Sequence, residues 1–431
     1  MNFRLLSPIA AIFLCAVFCA KISYADEPIY TWEECVEIAR KNNAELQSAL
    51  ASEKQMKALE GVARANYFPQ LTATSNSGRS YTNSGNLSSS NSFFYNTNTV
   101  SLSASQNIFN GFQDKAKIEQ AKANSMVATA NIATIKAKIS YDLKNSFSSF
   151  TYAKSYTKLL EEIIKRRRDN LKIVDLRFKG GMENKGSLLL ARAYLADAEY
   201  NFLQAQNLKN TARAQLCKAM GINDCAPFDI ENSINVKSPL KNIEFEKIVL
   251  QMPQHAQAAA QEKASQAGVI IAESAFLPIV NLTALSGQRG TTYLPQNDYW
   301  SVGLNISLPF FTGGKDYFST ISASENRLAT THNRETVDRQ ALADLKQYYA
   351  SYIENVAKLK VSASFKDAAQ MRAEIARNKY NNGLLTFEDW DVIESDLINR
   401  QTTYLQNQRD RVISEAAWEN IQGIGVFSEQ S

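Results

Sequence analysis

The sequence repeats itself once, at a nearly constant spacing. Three short motifs recur 202 residues further on, and a fourth recurs after 209 residues. The first three are Phe109-Asn110-Gly111 with Phe311-Thr312-Gly313, Arg177-Phe178-Lys179-Gly180-Gly181 with Lys379-Tyr380-Asn381-Asn382-Gly383, and Ala219-Met220-Gly221 with Ile421-Gln422-Gly423. The fourth is Ala65-Asn66-Tyr67-Phe68-Pro69-Gln70 with Ser274-Ala275-Phe276-Leu277-Pro278-Ile279. The two halves are therefore copies of one unit, and the first copy holds extra residues between Pro69 and Phe109.

This spacing predicts how the chain is divided. Residues 1–25 have the layout of a secretory signal peptide, with an apolar run too short to span a bilayer and a small-x-small pattern, Ser23-Tyr24-Ala25. An N-terminal membrane anchor is the alternative. The first repeat is predicted at 26–223 and the second at 243–425, with a linker at 224–242 and a tail at 426–431.

Each repeat is predicted to hold long helices around a pair of strands. In the first repeat a helix runs from Thr31 to Tyr67 and ends before Pro69, as helices tend to before proline. Two strands follow. The chain is then helical for about 70 residues up to Gly180-Gly181, and it turns back for about 40 residues to Gly221.

Apolar residues recur every seven positions along the long helix, which is typical of coiled-coil packing. The series is Leu143, Phe150, Ile164, Leu171 and Phe178 in the first repeat and Leu345, Tyr352, Leu359, Ala373 and Tyr380 in the second, interrupted by Thr157 and Lys366. At 1.5 Å per residue, 70 residues make a rod of about 105 Å. The fold is therefore predicted to be an extended bundle, a solenoid or a tube.

The strand regions alternate apolar and polar residues. Trp300, Val302 and Leu304 are separated by Ser301 and Gly303, and segments of this kind with aromatic ends are typical of outer-membrane barrels. A soluble, half-buried antiparallel sheet shows the same alternation. The Ser- and Asn-rich stretch from Tyr81 to Asn98 is predicted to be an external loop. Four strands cannot close a barrel, so membrane strands would require an oligomer.

These features resemble the outer-membrane efflux protein family over nearly the whole mature chain. The residues that carry the resemblance are Phe68-Pro69, Gln106-Asn107-Ile108-Phe109-Asn110-Gly111 and Arg177-Phe178-Lys179-Gly180-Gly181-Met182, with their counterparts Leu277-Pro278, Leu308-Pro309-Phe310-Phe311-Thr312-Gly313-Gly314 and Tyr380-Asn381-Asn382-Gly383-Leu384. The resemblance implies a mainly α protein with a membrane β-barrel: a homotrimer with a 12-strand barrel in outer-membrane lipid on a 12-helix α-barrel in the periplasm of a Gram-negative bacterium. It implies a passive duct that works with a periplasmic adaptor protein and an inner-membrane RND or ABC transporter.

The resemblance also suggests where the duct functions. The turns at Gly180, Gly181, Met182, Gly383 and Leu384 would form the tip that contacts the adaptor. The predicted gate residues are Asp389, Glu388, Asp391, Tyr380 and Ser187, with Tyr380 bonded to Ser187. The sequence departs from the family in two places, because Ser187 replaces an acidic residue and Leu385 replaces a basic one. An alternative for the acidic cluster is a solvated helix start.

No enzyme class fits the sequence. Two histidines cannot make a His-rich metal site, and Thr312-Gly313-Gly314-Lys315-Asp316 lacks the glycine and hydroxyl of a phosphate loop, so it is predicted to be a turn. No cofactor is expected, and a net charge of +4 does not suggest a nucleic-acid partner. The run Lys165-Arg166-Arg167-Arg168 is interpreted as a solvated helix face, with a partner contact as the alternative.

Two questions remain open at the level of sequence. Cys217 and Cys225 either form a disulfide or are buried thiols, with Cys35 left over. The alternative function is a periplasmic or surface coiled-coil protein with no pore, and the alternating strands argue against it. The sequence does not separate drug efflux from protein secretion.

Overall fold

The structure, a computed structural model, describes residues 28–86, 89–223, 225–231, 234, 236–239 and 242–427, and for 82–86 and 89–93 only the backbone. The predicted signal peptide lies outside these residues. The described chain is mainly helical, as predicted.

The same succession of elements occurs twice. The first part of the chain contains β1 (Ile29–Tyr30), α1 (Trp32–Asn42), α2 (Ala44–Arg64), β2 (Gln70–Asn86), β3 (Ser89–Asn110), α3 (Gln113–Lys179), α4 (Lys185–Met220) and β4 (Asp229–Ile230). The second contains α5 (Phe245–Gln251), α6 (Pro253–Glu273), β5 (Ile279–Gly290), β6 (Asn297–Ser307), α7 (Lys315–Asn381) and α8 (Phe387–Ile421). One turn of 3₁₀ helix precedes β2 and another precedes β5.

The predicted helix from Thr31 to Tyr67 is wrong in one respect, because it is broken at Asn43. The Asn43 backbone is extended, and its side-chain oxygen accepts a hydrogen bond from the Leu46 amide, which caps α2. The second repeat breaks at the matching place, where Pro253 opens α6. The end of α4 packs against the break in the first repeat. Gly221 lies so close to it that an added Cβ would be 2.5 Å from the backbone of Asn42.

The two long helices, α3 and α7, are each 67 residues long and therefore about 100 Å in length. All the heptad positions are buried or half-buried, including the two interruptions, Thr157 and Lys366. Lys366 is accommodated because its ammonium lies 4.5 Å from the centre of the Tyr404 ring. The seven-residue spacing thus describes the face on which the helices pack.

The helices form one layer. α3 packs against α2 and α4 on one flank and against α6 and α8 on the other, and α7 packs against α6 and α8. α3 therefore lies between two pairs of shorter helices, α2 with α4 and α6 with α8, and α7 lies beside the second pair. Within the described chain, the outer flanks of α7 and of the α2–α4 pair have no helix against them.

The sheet repeats the order of the helix layer. Its antiparallel strands run β2-β3-β5-β6, so β2 and β6 are its edges. Gln70 pairs with Ser105 in the first hairpin, and Ile279 pairs with Ser307 in the second. These pairs are related by the 209- and 202-residue offsets, so both hairpins have the same register. A bulge between Asn107 and Phe109 marks the exit from β3.

The predicted loop from Tyr81 to Asn98 is wrong. β2 continues to Asn86 and β3 begins at Ser89, with pairing that extends to Asn86 and Ser89. Ser, Asn and Thr favour turns, but an antiparallel ladder satisfies their backbone groups equally well. The extra residues of the first copy therefore lengthen a hairpin.

The linker is fastened to the helices by buried polar contacts. The backbone of Lys237 donates to Glu415 and accepts hydrogen bonds from Arg411 and Tyr352. β4 of the linker pairs with β1 in parallel, which the sequence did not predict. Cys217 and Cys225 form a disulfide between the end of α4 and the linker, and Cys35 is a buried free thiol.

Candidate functional site at the helix turns

The two glycine turns have the same geometry. Gly181 and Gly383 have φ angles of 72° and 76°, in the left-handed region that only glycine adopts without strain. The Gly181 amide donates to the Phe178 carbonyl and the Met182 amide donates to the Arg177 carbonyl, which is the Schellman pattern for ending a helix. The Gly383 turn has the equivalent pair of bonds. Both turns are therefore determined locally by sequence.

The turns expose apolar side chains. Met182 and Leu384, the residues that follow the two glycines, are 67% and 73% exposed. Leu176 and Val392 nearby are also largely exposed. A Cβ at Gly181 or Gly383 would meet no atom within 4 Å, so neither glycine is packed against the chain. The predicted contact residues thus lie together on an accessible, partly apolar end of the helix layer.

Next to the turns, Tyr380 joins the ends of the two long helices. Its hydroxyl donates to Glu183 at 3.0 Å, and the Arg177 guanidinium lies 4.6 Å from its ring centre and donates to its backbone carbonyl at 2.6 Å. The Trp390 ring stacks on it at 4.3 Å. Burial, and then the hydrogen bond to Glu183, raise the pKa of Tyr380, so its hydroxyl stays protonated and keeps donating. We call Arg177, Glu183 and Tyr380 the latch.

The predicted bond between Tyr380 and Ser187 is wrong. Ser187 is buried, its amide donates to Asn184, and its hydroxyl oxygen has no hydrogen-bond partner among the described residues. Glu183 stands four residues nearer the turn and reaches Tyr380 first. The acceptor for the Tyr380 hydroxyl is thus Glu183, two residues after Gly181, and not Ser187, six residues after it.

Asp391 does not present a free carboxylate, which corrects the interpretation that it lines the gate. It is buried and paired with Arg167 of α3 at 2.6 Å. The same guanidinium donates to Ser395 and lies 4.6 Å from the centre of the Tyr194 ring. A hydrogen bond to Asp391 raises the pKa of the Tyr194 hydroxyl. This ion pair joins the two repeats, with Arg167 about four helical turns before Gly181 and Asp391 about two helical turns after Gly383.

A second buried ionic contact lies beside the first. Glu394 of α8 is only 1% exposed and lies 2.9 Å from Arg166 and 3.7 Å from Arg377. Burial lowers the pKa of Arg166. The interpretation of the basic run as a solvated face is therefore wrong for Arg166 and Arg167, because α8 supplies buried carboxylates opposite them. Arg168 remains exposed, 3.6 Å from Glu199.

Asp389 and Glu388 remain exposed at the start of α8. The Asp389 amide donates to the Thr386 hydroxyl oxygen at 3.1 Å, and the Thr386 hydroxyl lies 2.8 Å from the Asp389 carboxylate. Asp389 thus takes part in capping α8, which agrees with the alternative interpretation of the acidic cluster. Capping leaves the carboxylate accessible to solvent.

Sequence reasoning missed Arg177, Glu183 and the pairing of Arg167 with α8. A signal for them exists in the repeat itself. Lys379 and Leu385 stand at the positions equivalent to Arg177 and Glu183, and Ala369 stands where the first copy has Arg167. Leu189 stands where the second copy has Asp391. The copies therefore differ in complementary ways, and such differences indicate contacts between the repeats.

The described residues contain no cluster of three or more side chains able to hold a metal ion. His255 contacts Asp338 at 2.7 Å, and His332 is exposed on α7. The predicted turn at Thr312-Gly313-Gly314 is confirmed, since both glycines have positive φ angles and α7 begins at Lys315. In the part of the chain described here, no helix combines the length and apolar character of a membrane span.

Comparison with known proteins gives consistent results. A family model described as outer membrane efflux protein matches residues 35–222 and 246–423. The chain is similar to the outer membrane protein TolC of Escherichia coli, with 24% identity over 86% of this chain and 79% of that protein. It is also similar to the alkaline protease secretion protein AprF of Pseudomonas aeruginosa, with 19% identity over 80% and 75%. The crystal structure of the Campylobacter jejuni CmeC outer membrane channel matches 91% of this chain and 85% of that one, with a TM-score of 0.82 and 18% identity.

Proposed function

This chain belongs to the outer membrane efflux protein family, and on that premise we propose that it is the outer-membrane exit duct of a tripartite efflux or type I secretion system. Its location is the outer membrane of a Gram-negative bacterium. The observation that carries the proposal is a four-stranded sheet, open at both edges, that continues into a layer of helices about 100 Å long. Such a unit is incomplete alone and becomes a tube when copies join.

The two faces of the sheet support a membrane barrel. The outward face carries Trp300, Val302, Leu304 and Ile306 on β6, each more than 60% exposed, and Leu102 on β3. The opposite face is lined mainly by small polar residues, namely Thr72, Thr74, Asn76, Ser101, Ser103, Asn281, Thr283, Ser301 and Asn305. An apolar exterior and a hydroxyl-rich interior suit a water-filled barrel in lipid. A soluble rod without a pore would leave this apolar face in contact with water, which soluble proteins rarely do.

Three protomers would close the barrel with twelve strands. They would close the tube of helices by joining the flank of α2 and α4 in one protomer to the flank of α7 in the next. Within the chain, β3 pairs with β5, the last strand of one repeat with the first of the next. Between protomers, β6 would meet the partner's β2 in the same way. Applying the two repeat offsets to the β3–β5 register places Trp300 opposite the partner's Tyr81, Ser301 opposite the partner's Ser80 and Val302 opposite the partner's Arg79. In each pair both side chains lie on the same face of the sheet.

This register can be tested with a cysteine pair. In the double variant Ser80→Cys with Ser301→Cys, mild oxidation should give a covalent trimer on a denaturing gel, because directly opposite Cβ atoms lie about 5 Å apart. The matched control, Ser80→Cys with Gly303→Cys, is displaced by two residues and should stay monomeric on the gel. Cross-linking in the control alone would overturn the register. A monomer by native mass spectrometry in detergent would overturn the duct itself.

The partners proposed for this duct are a periplasmic adaptor protein and an inner-membrane RND or ABC transporter. We place adaptor contact at the turns formed by 180–182 and 383–384, since Met182 and Leu384 are accessible apolar residues there. The energy for transport would come from the transporter. No residue of this chain is proposed to be catalytic, and no cofactor is needed.

We propose that the latch holds the tip closed. It connects the end of α3 to the end of α7, so an outward movement of the second repeat at the tip must break the bond from Tyr380 to Glu183. Ser187 is left with a packing role, and Asp391 with the buried ion pair to Arg167. Three-fold symmetry would gather three copies of Asp389 and Glu388 around the axis of the tube. A ring of carboxylates favours cations and repels anions.

The ring proposal predicts a loss of cation selectivity in Asp389→Asn. This substitution removes the charge and keeps an oxygen that can accept from Thr386, so the helix cap persists. Single-channel recordings in planar bilayers should show a severalfold lower preference for cations and weaker block by trivalent cations. Asp367→Ala, which removes an exposed charge 70% accessible on α7, is the control and should change neither. Unchanged selectivity in Asp389→Asn would mean that Asp389 only caps α8.

A further inference from the structure

The outward face of the sheet carries one arginine. In the register of β2 and β3, Arg79 lies on the same face as Leu71 and Leu102, opposite Asn96. The other charged residue of this face, among the described strand positions, is Asp298 on β6. The Asp298 carboxylate accepts a hydrogen bond from the Gln288 side chain at 2.9 Å. Arg79 has no carboxylate partner among the described side chains. A cation on a lipid-facing surface therefore needs an explanation.

Two aromatic rings lie on one side of this arginine. Its guanidinium lies 4.9 Å from the centre of the Phe94 ring, and the Phe94 and Tyr81 rings lie 5.0 Å apart. Both rings are exposed, Phe94 to 63% and Tyr81 to 55%. The ring contact orients the guanidinium, and its N–H groups make no hydrogen bond to an acceptor among the described side chains. An arginine held in this way has donors available for a ligand outside the protein.

In the proposed barrel, Arg79 would lie at the height of the outer-leaflet headgroups. It lies nine residues beyond the start of β2 at Gln70, about 30 Å along the strand at 3.3 Å per residue. A strand tilt of about 40° reduces this to about 23 Å, close to the 25 Å of a barrel's apolar band. The helices lie at the opposite end of the strands, so in the proposed duct Arg79 would face the outer surface of the cell.

The seam between protomers would complete the surroundings of Arg79. The register derived above places the partner's Val302 opposite Arg79 and the partner's Trp300 opposite Tyr81. Trp300 is 76% exposed within the protomer, on the outward face. Asp298 of the partner subunit would lie four residues further along β6, about 13 Å away. Arg79 would thus stand among three aromatic rings with no acidic residue in reach.

We propose that Arg79, Tyr81 and Phe94, together with Trp300 of the partner subunit, form a binding site for a phosphate-bearing glycolipid of the outer leaflet. The inference rests on the proposed trimeric duct. The guanidinium supplies a planar pair of donors that matches phosphate. The rings supply an amphipathic edge at the level where acyl chains give way to headgroups. One trimer offers three such sites, one at each seam.

The test measures binding of purified lipid A to the detergent-solubilised trimer by native mass spectrometry. Arg79→Gln should weaken binding of the bisphosphorylated lipid by about tenfold or more, since a charge-assisted hydrogen bond is lost. Trp300→Ala should weaken it less. The matched control is Arg289→Gln, because Arg289 also lies over an aromatic ring, Tyr299, on the interior face. This control should bind as the unchanged protein does. Dephosphorylated lipid A should bind Arg79→Gln and the unchanged protein equally.

Two results would overturn the site while leaving the duct intact. One is a trimer of Arg79→Gln that binds bisphosphorylated lipid A as tightly as the unchanged protein. The other is an equal loss in Arg289→Gln, which would indicate attraction to net charge without a defined site. A protein that is monomeric under the same conditions would overturn the duct and the seam together.

Discussion

Replacing Gly383 by tryptophan is expected to abolish export while the trimer still assembles, and Gly181→Trp should behave in the same way. Each glycine has a positive φ angle, and a Cβ there meets no atom within 4 Å. An L-residue in this conformation costs about 1–2 kcal/mol, which a helix layer of this size tolerates. A large ring would instead cover Met182 and Leu384 and obstruct adaptor contact. Export would be measured by complementation of a deletion strain, and assembly by native mass spectrometry.

Gly383→Ala separates the strain of the turn from the bulk of the side chain. Alanine carries the same backbone strain as tryptophan and adds one methyl group, so export should persist. Gly180→Trp offers a second comparison, since Gly180 has a negative φ angle of −80° and lies in the same turn. Assembly lost in both Gly383→Ala and Gly383→Trp would show that these glycines only shape the turns. Export that survives both Gly181→Trp and Gly383→Trp would place the adaptor elsewhere.

The turns could be predicted because they depend on a few neighbouring residues. Gly181 and Gly383 end their helices through local hydrogen bonds that any glycine after a long helical pattern can form. The coiled-coil face was predictable for a similar reason, because Leu143 and Phe150 follow a period that the whole helix repeats. The break at Asn43 was not, since the pair Asn42-Asn43 within a helical pattern does not by itself indicate a break. Only the end of α4, packed at Gly221, shows why the chain bends there.

The sequence did not predict the extended hairpin or the latch, and the two failures have different physical reasons. Between Tyr81 and Asn98 the composition favours turns, but pairing with the opposite strand satisfies the same backbone groups and outweighs local preference. The latch depends on Arg177 and Glu183 meeting Tyr380, about 200 residues away in sequence. Periodicity within one helix carries no information about such a contact. Comparing the two copies position by position would have provided it.

The buried pair between the repeats should be the most sensitive contact near the tip. Asp391→Ala leaves the Arg167 guanidinium buried, with the Ser395 hydroxyl as its remaining side-chain hydrogen-bond acceptor. Arginine cannot lose its proton to relieve this, and breaking a buried pair by removing one partner costs about 3–5 kcal/mol. The loss should be local, because α3 and α8 are held elsewhere by their apolar faces. Amide hydrogen exchange near Arg167 and Asp391 should therefore accelerate by about two to four orders of magnitude.

The basic run supplies its own control. Arg168→Ala removes the adjacent, exposed charge, whose distance to Glu199 is 3.6 Å, and it should change exchange little, since exposed pairs contribute about 0–1 kcal/mol. The double variant Arg167→Met with Asp391→Leu removes both buried charges and fills their space with apolar groups, so exchange should return close to that of the unchanged protein. If Asp391→Ala exchanges no faster than Arg168→Ala, the pair does not hold the repeats together. If the double variant is as labile as Asp391→Ala, the lost packing of these side chains explains the effect, and the unpaired charge does not.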